Sequence, residues 1–101
     1  MRRVRLSSSF IAEFEVMLHE GAEKFGPLVA ERTKQRVRQT IEHLARHPVR
    51  PADEELGLCV YHVERTPFSL LYDHDADEIR IYVIVYSRSD RSAIDLSSID
   101  W

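Results

Sequence analysis

Two short stretches hold residue types that could do proton chemistry on a phosphate. LCVYHVER carries Tyr61, His62, Glu64 and Arg65, and YSRSDRSAID carries Tyr86, Ser87, Arg88 and Arg91. Metal-free cleavage of RNA needs a base for the 2′-hydroxyl proton, an acid for the leaving oxygen, and cations for the charge that develops on phosphate. His62 or Glu64 could be the base and a tyrosine the acid, with Arg65, Arg88 and Arg91 as stabilisers. The plainer reading is that Tyr61 packs in a sheet and that Glu64 and Arg65 form an exposed charged pair. The inventory favours that plainer reading.

Other constellations are weaker. Asp73, Asp75 and Asp77 imitate the start of a calcium loop, but Glu78 stands at the glycine position and Ile84 where a bidentate carboxylate is needed. A solvated hairpin turn is the better reading. His43 and His47 are four apart on a helix, with no recognisable third ligand. No metal or other cofactor is therefore expected. Arg32, Lys34, Arg36 and Arg38 make a strongly cationic helix face, suited to phosphate, to an acidic protein or simply to solvent.

These groups must be positioned by a small scaffold. Val4 and Leu6 alternate with Arg3 and Arg5 over residues 2–7, the period of a half-buried strand. Ser7 to Ser9 offer N-caps for a helix whose stripe is Phe10, Ile11, Phe14, Met17, Leu18 and Phe25. Gly26 and Pro27 end that helix and open a second, which runs to about Arg46 with Val37, Ile41 and Leu44 on its apolar side. After the acidic connector HPVRPADEELG, three strands are predicted over 58–65, 68–73 and 78–86. In the last, Ile79, Ile81, Val83 and Val85 point one way, and Arg80, Tyr82, Ile84 and Tyr86 the other, so the strand should be central. The order is β-α-α-β-β-β, an α+β class in which an N-terminal strand and a helical hairpin pack on a small, mainly antiparallel sheet. The uncovered face and the strand ends are where function is expected.

The 101 residues form one domain, 1–101, by the usual length prior. No apolar run is long enough to span a membrane, and MRRVRL has no apolar region behind it to make a signal peptide, so a cytoplasmic protein is expected. Cys59 is the single cysteine, which excludes an internal disulfide. Residues 1–50 carry ten Lys/Arg against six Asp/Glu and residues 51–101 four against eleven, so a net −3 conceals a basic first half and an acidic second. Nonspecific attraction of the whole molecule to nucleic acid is weak.

The pattern as a whole resembles the RelE/ParE superfamily of toxins from bacterial toxin-antitoxin pairs. The resemblance rests on the element order, on IEHLARHP followed by an acidic connector, and on TPFSLLYDHDADEIRIYVIVYSRSDRS, which is similar to the family's core hairpin with a basic tail. Ribosome-dependent nucleases of the RelE kind carry two lysines at the positions of His62 and Glu64 and an arginine at that of Ser69. They also carry an arginine and a tyrosine that align with Ser89 and Asp95. None of the five matches, so the chain resembles the ParE branch more closely. That branch implies growth inhibition through DNA gyrase, a part in plasmid stabilisation, and no catalysis. The alternative is a ribosome-associated mRNA endoribonuclease with a divergent site at His62, Glu64, Arg65, Tyr86, Arg88 and Arg91. A binding module without toxicity is a third reading. The resemblance also implies a cognate antitoxin whose C-terminal segment folds across the toxin, suited to a groove along the helical hairpin and an exposed sheet edge. Arg32, Arg36, Arg38, Arg88 and Arg91 are the expected partner-facing cations.

Overall fold

The computed structural model describes residues 1–48, 52, 57–88 and 95–101. Strand β1 (Arg3–Leu6) leads into helices α1 (Ser8–Phe25) and α2 (Pro27–Arg46), followed by strands β2 (Cys59–His62), β3 (Phe68–His74) and β4 (Glu78–Tyr86). The sheet order is β1-β4-β3-β2, with β1 parallel to β4 and the other pairs antiparallel. The α+β expectation holds, and β4 is an interior strand as its apolar run requires.

The helix boundaries follow from local chemistry. Ser7 caps α1, its hydroxyl oxygen accepting from the Phe10 amide at 2.9 Å. Gly26 closes α1 and begins α2 in one residue, at a φ of 92° that side-chain-bearing residues rarely adopt, and Pro27 takes the first helical position. The main core lies between the hairpin and the sheet, where Phe10, Val37, Leu44, Leu70, Tyr72 and Ile81 are buried.

Three details depart from expectation. The strand foreseen over 58–65 ends at His62, because Val63 to Thr66 turn the chain. Arg65 sits there at φ 61°, and the Thr66 amide and hydroxyl both donate to the Val63 carbonyl, so Glu64 and Arg65 belong to a turn. Val4 and Leu6 are exposed because β1 is an edge strand beside an open groove.

The third departure is a β-bulge. The pairing runs from Leu71↔Val83 to Tyr72↔Ile81, so Tyr82 is an extra residue in β4. Strict alternation therefore fails: Ile79, Ile81 and Ile84 face the helices, while Val83 and Val85 face outward. The outward face is not bare. Leu58, Leu71 and Val83 form a second apolar cluster, over which Leu96 and Ile99 of the C-terminal segment pack. Trp101 meets Tyr82 edge-on, ring centroids 4.8 Å apart, with the Arg5 guanidinium 5.1 Å from the indole centre.

Candidate functional site

The antiparallel pairing sets His62 opposite Ser69, and the end of β4 brings Ser87 to both. His62 Nδ1 lies 2.9 Å from Ser87 Oγ, and Ser87 Oγ lies 2.8 Å from Ser69 Oγ. Ser69 is almost fully buried, while His62 is exposed. The Ser87 amide donates to the Pro67 carbonyl at 2.8 Å, which locks the end of β4 to the β2–β3 turn. The result is a chain of hydroxyls ending at an imidazole.

His62, Tyr86, Ser87 and Arg88 line one hollow of about 420 Å³, together with Thr66 and Pro67. Three of the predicted site residues therefore do converge. Glu64 instead lines a separate polar hollow beside Arg36, His43 and Tyr61. Arg65 borders an apolar cleft at the hairpin tip. Arg91, like Ser89, lies outside the described residues. Among the described residues no carboxylate hydrogen-bonds His62 as the orienting third group that activated serines use.

The cations of α2 divide between two flanks. Arg36 faces β2 in the polar hollow, with Arg32 one turn before it. Lys34 and Arg38 face β1, where they rim a groove of about 450 Å³ built on Val4, Leu6, Phe10, Phe14, Val37 and Ile41. At the hairpin tip, a cleft of about 370 Å³ holds Met17, Phe25, Val29, Phe68 and Tyr86. Phe25 is 68% exposed and Leu28 63%, next to each other around the Gly26–Pro27 connection.

The acidic β3–β4 turn is a closed charge cluster. Arg80 donates to Asp73, Asp75 and Glu78 at 2.5, 2.9 and 2.8 Å. Asp75 also accepts from the amides of Asp77 and Glu78. The Arg80 hydrogen bond and those amides hold the Asp75 carboxyl well below the usual carboxylate range. Tyr82 donates to Asp73 at 2.7 Å, and burial followed by that bond raises its phenol pKa. The aspartates thus brace a turn. His43 and His47 lie with ring centroids 5.3 Å apart, their planes tilted by 46°. Among the described residues no group of three His, Cys, Asp or Glu side chains is placed to hold a metal.

Sequence reasoning did not single out the hairpin-tip cleft. Its signal was present in Phe25 and Val29, two large apolar residues set around the tight Gly26–Pro27 connection.

Two comparisons with known proteins bear on this geometry. The family described as ParE toxin of type II toxin-antitoxin system, parDE, matches residues 4–92. A solved chain of the chromosomal ParDE TA system from P. aeruginosa superposes with a TM-score of 0.74 at 21% identity, covering 85% of this chain and 96% of that one. No curated protein matches the chain. Among the described residues no helix is long and apolar enough to cross a membrane.

Proposed function

This chain belongs to the family of ParE toxins of type II toxin-antitoxin systems, and on that premise we propose that it inhibits growth by binding DNA gyrase, not by cutting RNA. The observation that carries the proposal is the Ser69–Ser87–His62 chain. Ser69 is buried and bonded to Ser87, and His62 completes the chain, where the nuclease branch would hold an arginine and a lysine. Phosphate-transfer transition states need fixed positive charge close at hand, and this arrangement supplies none from those two positions. The whole of residues 1–101 acts as one domain, in the cytoplasm, with plasmid stabilisation as the wider role.

Neutralisation falls to a cognate antitoxin lying along the β1 groove. The edge of β1 offers strand addition, and the apolar floor of Val4, Leu6, Phe14 and Ile41 offers a bed for a helix. A similar partnership is named for the P. aeruginosa system whose chain superposes on this one. Supercoiling and DNA-breakage assays with purified gyrase test the main proposal: inhibition or trapped breaks should appear at concentrations that arrest growth. Unchanged gyrase activity at those concentrations would sink it.

One observation favours a second reading. His62, Tyr86 and Arg88 converge on a hollow large enough for a nucleotide phosphate and sugar. A divergent mRNA endoribonuclease would then create new mRNA ends on programmed ribosomes, and absence of such ends rejects it.

A further inference from the structure

The two flanks of α2 differ in a way that assigns them to different kinds of partner. On the β1 flank, an edge strand with no further strand paired to it among the described residues borders an apolar groove. On the β2 flank the sheet edge is already engaged at one end, since Ala52 bridges antiparallel to Cys59. Strand addition by a flexible segment is obstructed there, and docking must proceed through side chains. What the flank presents is an apolar socket at the hairpin tip, then Arg32 and Arg36 in succession along the helix. Lys24 and Arg65 rim the socket itself.

We propose that this β2 flank, from the socket at Phe25 and Val29 to Arg36, is the surface that meets the gyrase target. The complementary patch on that target is a prefolded acidic surface carrying an apolar anchor. The proposal rests on the gyrase reading above and adds to it a division of labour, in which the β1 flank is left to the antitoxin. Charge complementarity supports it: among the described residues Lys24 and Arg65 line the socket and Arg32 and Arg36 follow it along α2, opposed by Glu20 in the socket and Glu64 beside Arg36. Exposed aromatic and aliphatic groups flanked by charged side chains match the usual anatomy of an interface, an apolar centre with a polar rim. Arg is also the cation best suited to bidentate carboxylate contacts.

Matched charge reversals test this, with reconstituted gyrase holoenzyme and DNA as the probe. Arg32→Glu with Arg36→Glu alters the β2 flank; Lys34→Glu with Arg38→Glu makes the same charge change on the β1 flank. Phe25→Ser removes the apolar wall of the socket without changing charge. Circular dichroism confirms that each variant is folded. The first pair and Phe25→Ser should each weaken gyrase binding by about tenfold or more, and the second pair by less than about threefold. Equal loss from both reversals, or loss from the β1-flank pair alone, overturns the assignment while leaving gyrase binding intact. Failure of the unaltered protein to bind gyrase overturns the underlying reading, and this one with it.

Discussion

The Ser7 hydroxyl donates to the backbone carbonyl of Tyr82 at 2.5 Å, and Tyr82 is the residue that the β3 register skips. The same hydroxyl oxygen accepts from the Phe10 amide, so one fully buried side chain both starts α1 and satisfies the bulge. The Ser7 amide adds a bond to the Ile81 carbonyl at 3.1 Å. Helix, edge strand and central strand meet at this serine.

Ser7→Ala should therefore cost more than an ordinary cap. Losing an N-cap costs about 1 kcal/mol, and depriving the half-buried Tyr82 carbonyl of its donor costs up to about 1 kcal/mol more. Urea denaturation should show a fall of about 1 to 2 kcal/mol with an unchanged slope. A loss below about 0.5 kcal/mol would mean that water or a shifted backbone replaces the hydroxyl.

Gly26→Ala isolates backbone strain from packing. A Cβ there would meet nothing within 4 Å, so space is not the obstacle. The φ of 92° is, and it should cost about 1 kcal/mol or more by thermal unfolding. Gly21→Ala is the control: it also meets nothing within 4 Å but lies at an ordinary helical φ, so it should be neutral to slightly stabilising.

Acid stability should depend on Arg80. The Asp75 carboxyl is held below its ordinary range in the fold, first by Arg80 and then by the Asp77 and Glu78 amides. A lowered folded value means that the stabilisation is present above the unfolded pKa, about 4, and is lost as pH falls through the depressed value. Arg80→Gln should raise the Asp75 pKa, read by carboxyl NMR, and flatten the stability profile below about pH 4. Because Asp75 is exposed, added salt should shrink the difference between the two proteins. An Asp75 titration unchanged by the substitution would contradict the assignment of cause.

Much of this fold was legible because each helix carries its own punctuation: Ser7 before the first, Gly26–Pro27 between the two. The bulge was not. IYVIVY reads as unbroken alternation, and the slip at Tyr82, whose carbonyl the Ser7 hydroxyl meets, is a tertiary fact that no period reveals. The outward cluster was hidden for the same reason, since Leu96, Ile99 and Trp101 show no strand or helix pattern of their own. At the site, His62, Tyr86 and Arg88 were legible by chemistry alone. Glu64 and Arg65 were grouped with them on the assumption of a strand through residue 65, and the turn at Val63 to Thr66 sends each to a different hollow.

The Ser69–Ser87–His62 chain separates the two functional readings by mutation. If gyrase binding underlies growth arrest, His62→Ala should leave toxicity within about twofold, because His62 is exposed and its one described hydrogen bond is to a serine that retains Ser69. Ser87→Ala should act on stability more than on toxicity: it leaves the buried Ser69 hydroxyl without its described partner, at about 1 kcal/mol or somewhat more. A general base, by contrast, contributes about a hundredfold or more to its reaction. Induced expression, with growth and chemical denaturation followed for each variant, distinguishes the cases. A His62→Ala protein of native stability that no longer arrests growth would favour the nuclease and count against the gyrase reading.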